Sequence, residues 1–151
     1  MRKVLLTVLC LASVLHVVSL VEGSSPRDEF INALIAVESG GRDTAIGDRT
    51  YRSGASRPEK GWAYGPLQIR QVCLDDVNRR YGTHYQAKDL HGNRRLSVWV
   101  CRAYLGIYAT RARLGRVPTE QDMARIWNGG PDGWKKPATQ GYWEKVKQAL
   151  P

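Results

Sequence analysis

Apolar and polar positions recur with a helical period through most of this chain. Over residues 28–39, Ile31, Leu34, Ile35 and Glu38 fall at i, i+3, i+4 and i+7, so one helix face carries three aliphatic side chains and a carboxylate. Ser25-Pro26-Arg27-Asp28 has the residues of a helix start, with Ser25 as N-cap, Pro26 at the first helical position and Asp28 in place of the usual glutamate. Ser39-Gly40-Gly41 breaks this helix. Residues 40–61 are polar and rich in Gly, Arg, Ser and Asp, with alternation that supports at most a small β-hairpin. A second helix is predicted from Pro66 or Leu67 to Tyr81-Gly82, with Ile69, Val72, Cys73 and Val77 inward. Residues 83–93 read as loop.

The most regular stripe is Leu96, Trp99, Val100, Ala103 and Ile107, which predicts a third helix running to about Leu114-Gly115 with Cys101 on its flank. Thr119-Glu120-Gln121-Asp122 is a second start of capping-box type, leading Met123, Ile126 and Trp127 toward a core. Asn128-Gly129-Gly130-Pro131 supplies a sharp reversal, and a last helix from about Gln140 carries Tyr142, Val146 and Leu150. The pattern has no internal repeat. It predicts a mainly α fold with at most a small β-hairpin after the first helix.

Glu38 is the residue that the pattern makes chemically informative. Burial disfavours an ionised carboxylate and raises its pKa, which suits a general acid working near neutral pH. The same placement also fits a solvated side chain at a frayed helix end, and perturbed carboxylates mark structural ion pairs as well as active sites.

Composition narrows the setting. Arg2 and Lys3 precede an apolar run, and Val21 and Gly23 suit a cleavage before Ser24, so residues 1–23 read as a secretory signal and 24–151 as one domain. Export to a secreted or periplasmic location follows, with no stable membrane anchor if the signal is cleaved; the apolar run is also long enough to serve as an uncleaved anchor. Cys10 leaves with it, and the remaining pair, Cys73 and Cys101, is most simply one disulfide, worth roughly 2–4 kcal/mol; the alternative is two buried thiols on helices. The net charge is +9, and loss of Arg2, Lys3 and Glu22 lowers it by one to +8. That field attracts anionic polymers such as bacterial envelopes. The basic residues are dispersed, without the concentrated run of a nucleic-acid arm, so no nucleic-acid partner is expected. His84 and His91 lack an acidic or cysteine cluster at ligand spacing, and no metal or other cofactor is expected.

Four segments, in order, carry a resemblance: Ala36-Val37-Glu38-Ser39-Gly40-Gly41, Tyr64-Gly65-Pro66-Leu67-Gln68-Ile69, Ala124-Arg125-Ile126-Trp127-Asn128-Gly129-Gly130-Pro131 and Gly141-Tyr142-Trp143-Glu144-Lys145-Val146. Together they resemble the lysozyme superfamily, nearest to the invertebrate-type (destabilase-like) lysozymes, and are similar in part to lytic transglycosylases and goose-type lysozymes. Two departures stand out. The invertebrate-type family is cysteine-rich, so its disulfide framework does not transfer, and the spacing from Glu38 to the family's aspartate is not matched.

The resemblance implies a lysozyme-like fold, a monomer, and cleavage of the MurNAc-GlcNAc bond of peptidoglycan glycan strands with Glu38 as general acid. Glycoside hydrolysis then needs a second group, a nucleophilic carboxylate about 5–5.5 Å away in a retaining enzyme or a base about 6.5–9.5 Å away in an inverting one. Asp48 is the candidate and Asp43 the reserve. If neither reaches, Glu38 acts as acid and then base with help from the sugar's N-acetyl group, the lytic transglycosylase outcome. A cationic glycan- or envelope-binding protein without turnover is the alternative from a different class. Candidate substrate-binding residues are Tyr64, Gly65, Gln68, Ile69, Trp127, Asn128 and Tyr142, with Trp134 a further aromatic surface for a sugar ring.

Overall fold

A computed structural model of the chain describes residues 25–51 and 53–151. The signal expected at residues 1–23 lies outside the described residues. Among the described residues six helices and a two-stranded antiparallel sheet occur in the order α1 (Asp28–Ser39), β1 (Ile46–Gly47), β2 (Ala63–Tyr64), α2 (Gln71–Tyr81), α3 (Arg94–Tyr108), α4 (Arg111–Leu114), α5 (Glu120–Gly129) and α6 (Gln140–Ala149), joined in places by 3-10 turns. The expected class holds: the molecule is mainly α, with one small hairpin after the first helix. Among the described residues no helix is long and apolar enough to cross a membrane.

Helix α1 forms over the residues its stripe predicts. Phe30, Ile31, Ala33, Leu34 and Ile35 are buried, and each large aliphatic or aromatic side chain so removed from water contributes about 1.5–3 kcal/mol. The helix starts later than its sequence suggests. Arg27, not Ser25, holds the N-cap position and makes no side-chain cap bond, while Asp28 and Glu29 lie in the first turn, where the helix dipole favours negative charge. At the other end Gly40 takes the left-handed conformation, and its N–H donates to the Ala36 carbonyl.

The hairpin pairs Ile46 with Tyr64 and Gly47 with Ala63. Tyr64 and Ile69 then exchange backbone hydrogen bonds of 3.0 Å in each direction, which folds Gly65-Pro66-Leu67-Gln68 into a tight turn. The second helix therefore cannot begin at Pro66 or Leu67; it begins at Gln71. Gly65 is required at this turn, since its φ is +75° and an added Cβ would lie 2.5 Å from the Leu90 carbonyl oxygen. The later start also rotates the helix: Leu74 and Val77 are buried, whereas Val72, expected inward, is exposed.

Helix α3 ends at Tyr108, and Thr110 caps the separate short α4 by accepting from the Arg113 N–H. Its buried face is Ser97, Val100, Cys101, Ala103, Tyr104 and Leu105. The stripe is thus turned from the predicted one: Cys101 is in the core and Trp99 is exposed. Helix α5 starts at the predicted capping box, with reciprocal bonds between Thr119 and Asp122, and Asp122 also forms an ion pair with Arg116. Helix α6 begins at Gln140, as its sequence predicts. Packing of α1 on α6, α5 on α6, α2 on α3 and α3 on α5 encloses one core containing Phe30, Leu34, Leu74, Val100, Ile126 and Val146.

Candidate active site

The end of α1 and the start of α6 meet through one short hydrogen bond. Glu38 sits half-buried in the last turn of α1, and the Tyr142 hydroxyl donates to its Oε1 at 2.6 Å. Burial pushes the Glu38 carboxyl above its ordinary value. The Tyr142 hydroxyl and the Trp127 side chain hold it down, Asp48 pushes it further up, and Arg70 draws it back; burial prevails. The Tyr142 phenol is driven upward by burial and by the carboxylate, so it remains a donor.

Glu38 opens onto a cleft of about 360 Å³, a volume in the range of small-ligand sites. Asp48, Gln68, Arg70, Trp127 and Asn128 share its wall. Asp48 follows β1 with φ +56°, and Arg70 grips its Oδ2 through Nε at 2.7 Å and through a second guanidinium nitrogen. Gln68, at φ +48°, donates from Nε2 to the Gly65 carbonyl at 2.9 Å, so its amide is partly spent on the turn that presents it. Trp127 stands edge-on to Tyr104 at 5.9 Å between ring centres, and Asn128 is exposed at the end of α5.

The remaining candidates are placed differently. Ile69 touches the cleft but is almost wholly buried. Tyr64 and Gly65 lie outside the cleft wall: Tyr64 is buried in the hairpin and donates to Glu59 at 3.0 Å, and Gly65 packs against Leu90. Tyr142 reaches Glu38 through the α1 and α6 packing without lining the cleft. Asp43 is paired with Arg94 at 2.8 Å and is not part of the wall. Trp134 packs against the core with Lys135 over its ring.

Cys73 and Cys101 are free thiols, half-buried on α2 and buried on α3, so the expected disulfide is not formed and the alternative of thiols packed on helices is the nearer description. Burial pushes Cys73 up to about 12 and Cys101 well above its ordinary value, which leaves little of the thiolate that disulfide exchange requires.

Arg70, Tyr104 and Asp76 also line the cleft, and sequence reasoning did not single them out. Arg70 is brought there by its pairing with Asp48, 22 residues earlier in the chain, and like Tyr104 and Asp76 it carries no local mark in the sequence.

Solved structures with this architecture include Meretrix lusoria lysozyme bound to inhibitor, with a TM-score of 0.64 and 22% identity over 83% of this chain and 92% of that one. Tapes japonica lysozyme gives 0.62 and 22% over 81% and 89%. A chain in the complex of Aeromonas hydrophila PliI with Meretrix lusoria lysozyme gives 0.63 and 22% over 81% and 88%. The fold is that of the invertebrate lysozymes. At this identity the likeness is one of fold, and neither a family model nor a curated protein matches the sequence. Within the lysozyme fold, the cleft and its half-buried glutamate are this chain's own geometry.

Proposed function

We propose that this protein is an exported lysozyme-like glycoside hydrolase that cleaves the glycan strand of peptidoglycan. The observation that carries the reading is Glu38: a carboxyl with a raised pKa, on the wall of a ligand-sized cleft, fixed by the Tyr142 hydroxyl at 2.6 Å. A glycosidic oxygen leaves readily only when protonated, and a carboxyl whose pKa is raised by burial is the better proton donor to it. Asp48, held by Arg70, places negative charge on the same cleft, where it stabilises the positive charge that develops on the sugar ring. Trp127 and Asn128 offer a flat apolar face and an amide to the sugar. The net positive charge favours encounter with an anionic wall.

The test is Glu38→Gln. Release of sugar ends from purified peptidoglycan should fall at least ~10²-fold, the scale of a lost general acid, while retention on the insoluble wall is kept. An unchanged rate removes Glu38 from the chemistry.

A second reading rests on the Arg70–Asp48 pair. If the guanidinium keeps Asp48 from the sugar, Glu38 alone serves as acid and then base, and the substrate's N-acetyl group assists. The product then carries an anhydro end, which mass spectrometry distinguishes from a free reducing end.

A further inference from the structure

Outside the cleft, the end of α2, the loop after it and the middle of α3 bring three aromatic rings to the surface. Tyr81, Tyr85 and Trp99 remain 47%, 37% and 38% exposed. Trp99 stands between the two tyrosines, 5.7 Å from Tyr81 and 5.9 Å from Tyr85, each pair near edge-to-face. None of the three lines the cleft.

Tyr85 is held in place by its loop. Asn78 donates from Nδ2 to the Tyr85 carbonyl at 2.9 Å and accepts from the Tyr85 N–H at 3.1 Å, while the Thr83 hydroxyl closes on Asn78 Oδ1 at 2.8 Å. Three hydrogen bonds to one asparagine side chain fix the backbone that carries the exposed ring, and the ring itself rests edge-on against Trp99, which lowers the ordering cost when a ligand stacks on it.

The surroundings select the ligand. Residues 78–86 contain no aliphatic side chain, being Asn, Arg, Arg, Tyr, Gly, Thr, His, Tyr and Gln. Arg80 lies over the Tyr81 ring at 5.6 Å, and Arg79 is exposed beside it while paired with Asp76 at 3.2 Å. Interfaces with other proteins bury an apolar centre, whereas flat rings amid cations and amides match a polymer of sugar rings that carries negative charge.

We propose that Tyr81, Tyr85 and Trp99, with Arg80, form a second carbohydrate-binding surface that holds the anionic glycan of the bacterial wall away from the cleft. The choice of that polymer rests on the peptidoglycan reading above; the stacking geometry does not. Such a surface keeps the enzyme on an insoluble substrate between cleavage events, because a second contact on the same polymer acts at high effective concentration.

The experiment uses the full chain and sedimentation with insoluble peptidoglycan, beside turnover of a short soluble oligosaccharide of the same sugars. Tyr81→Ser with Tyr85→Ser should weaken retention about tenfold, and Tyr85→Ser alone, at a loop position that carries no core packing, should give a smaller loss in the same direction. Soluble turnover should stay at the parent level in both, and thermal melting checks that both remain folded. Retention equal to the parent in the single and double variants overturns the proposal and assigns the patch to another partner. Loss of retention and of soluble turnover together in the folded single variant also overturns it, since the patch would then be part of the cleft. If the parent is retained, the variants are not, and no soluble glycan is cleaved, this surface stands and the hydrolase reading falls.

Discussion

Removing the Tyr142 hydroxyl tests how the acid is tuned. Tyr142→Phe keeps the ring that packs between α1 and α6 and deletes the donor 2.6 Å from Glu38 Oε1. A hydrogen bond to a charged group is worth about 1.5–3 kcal/mol net, against about 0.5–1.5 kcal/mol between neutral groups. Because Glu38 and Tyr142 are only half-buried, the lower end applies, and the variant should lose about 1.5 kcal/mol at a pH where Glu38 is ionised. Below the ordinary carboxylate value of 4.5, where Glu38 is protonated, the loss should shrink to about 0.5–1 kcal/mol.

The linkage has a fixed sign. Glu38 has a folded pKa above its unfolded value, so its contribution to stability is fully present below the unfolded pKa and is lost as pH rises through the folded one. Deleting a bond that favours the carboxylate raises the folded pKa again and widens that window upward. The same shift moves the alkaline limb of kcat/KM to higher pH, because the acid keeps its proton longer. Urea denaturation at both pH values and a pH–rate profile are the assays. An equal stability loss at the two pH values, or an alkaline limb that moves down, refutes the reasoning.

Three further perturbations probe the frame around this pair. Arg70→Gln releases Asp48 and withdraws a positive charge that draws the Glu38 pKa down, so kcat should drop about ten- to a hundredfold, KM change little and the alkaline limb rise; a rate equal to the parent would remove Arg70 as a positioning residue. Gly133→Ala sets a Cβ 1.9 Å from the Arg125 carbonyl oxygen where a 3-10 turn docks on α5, and should cost about 1–3 kcal/mol in chemical denaturation. Asp122→Ala breaks the α5 capping box and the Arg116 pair, for a loss of about 2 kcal/mol at neutral pH. Asp122 has a lowered folded pKa, so its contribution is present above the unfolded value and fades as pH falls through the folded one; the gap between parent and variant should narrow in acid.

Local chemistry was readable without the fold. The α1 stripe ending at Glu38, the Thr119 and Asp122 box and the Gly40 stop each involve residues within one or two turns, and steric and hydrogen-bonding preferences at that range act before tertiary contacts. The motif order also led to the lysozyme fold; of the residues in those segments Glu38, Gln68, Ile69, Trp127 and Asn128 line the cleft, with Asp48 from the polar stretch, whereas Tyr64, Gly65 and Tyr142 do not.

Other features depended on contacts that no local pattern encodes. A bridge from Tyr64 to Ile69 moved the start of α2, and packing against neighbouring helices turned α3 so that Cys101 faces the core and Trp99 the solvent. Rotating an amphipathic helix by part of a turn costs little until a specific neighbour fixes it, so periodicity gives the stripe but not its aim. Sequence alone determined that an acid ends the first helix. Only tertiary structure decided what meets it: Tyr142, 104 residues away, and the Asp48–Arg70 pair, joined across 22, are within reach because helix packing and a hairpin turn close those separations.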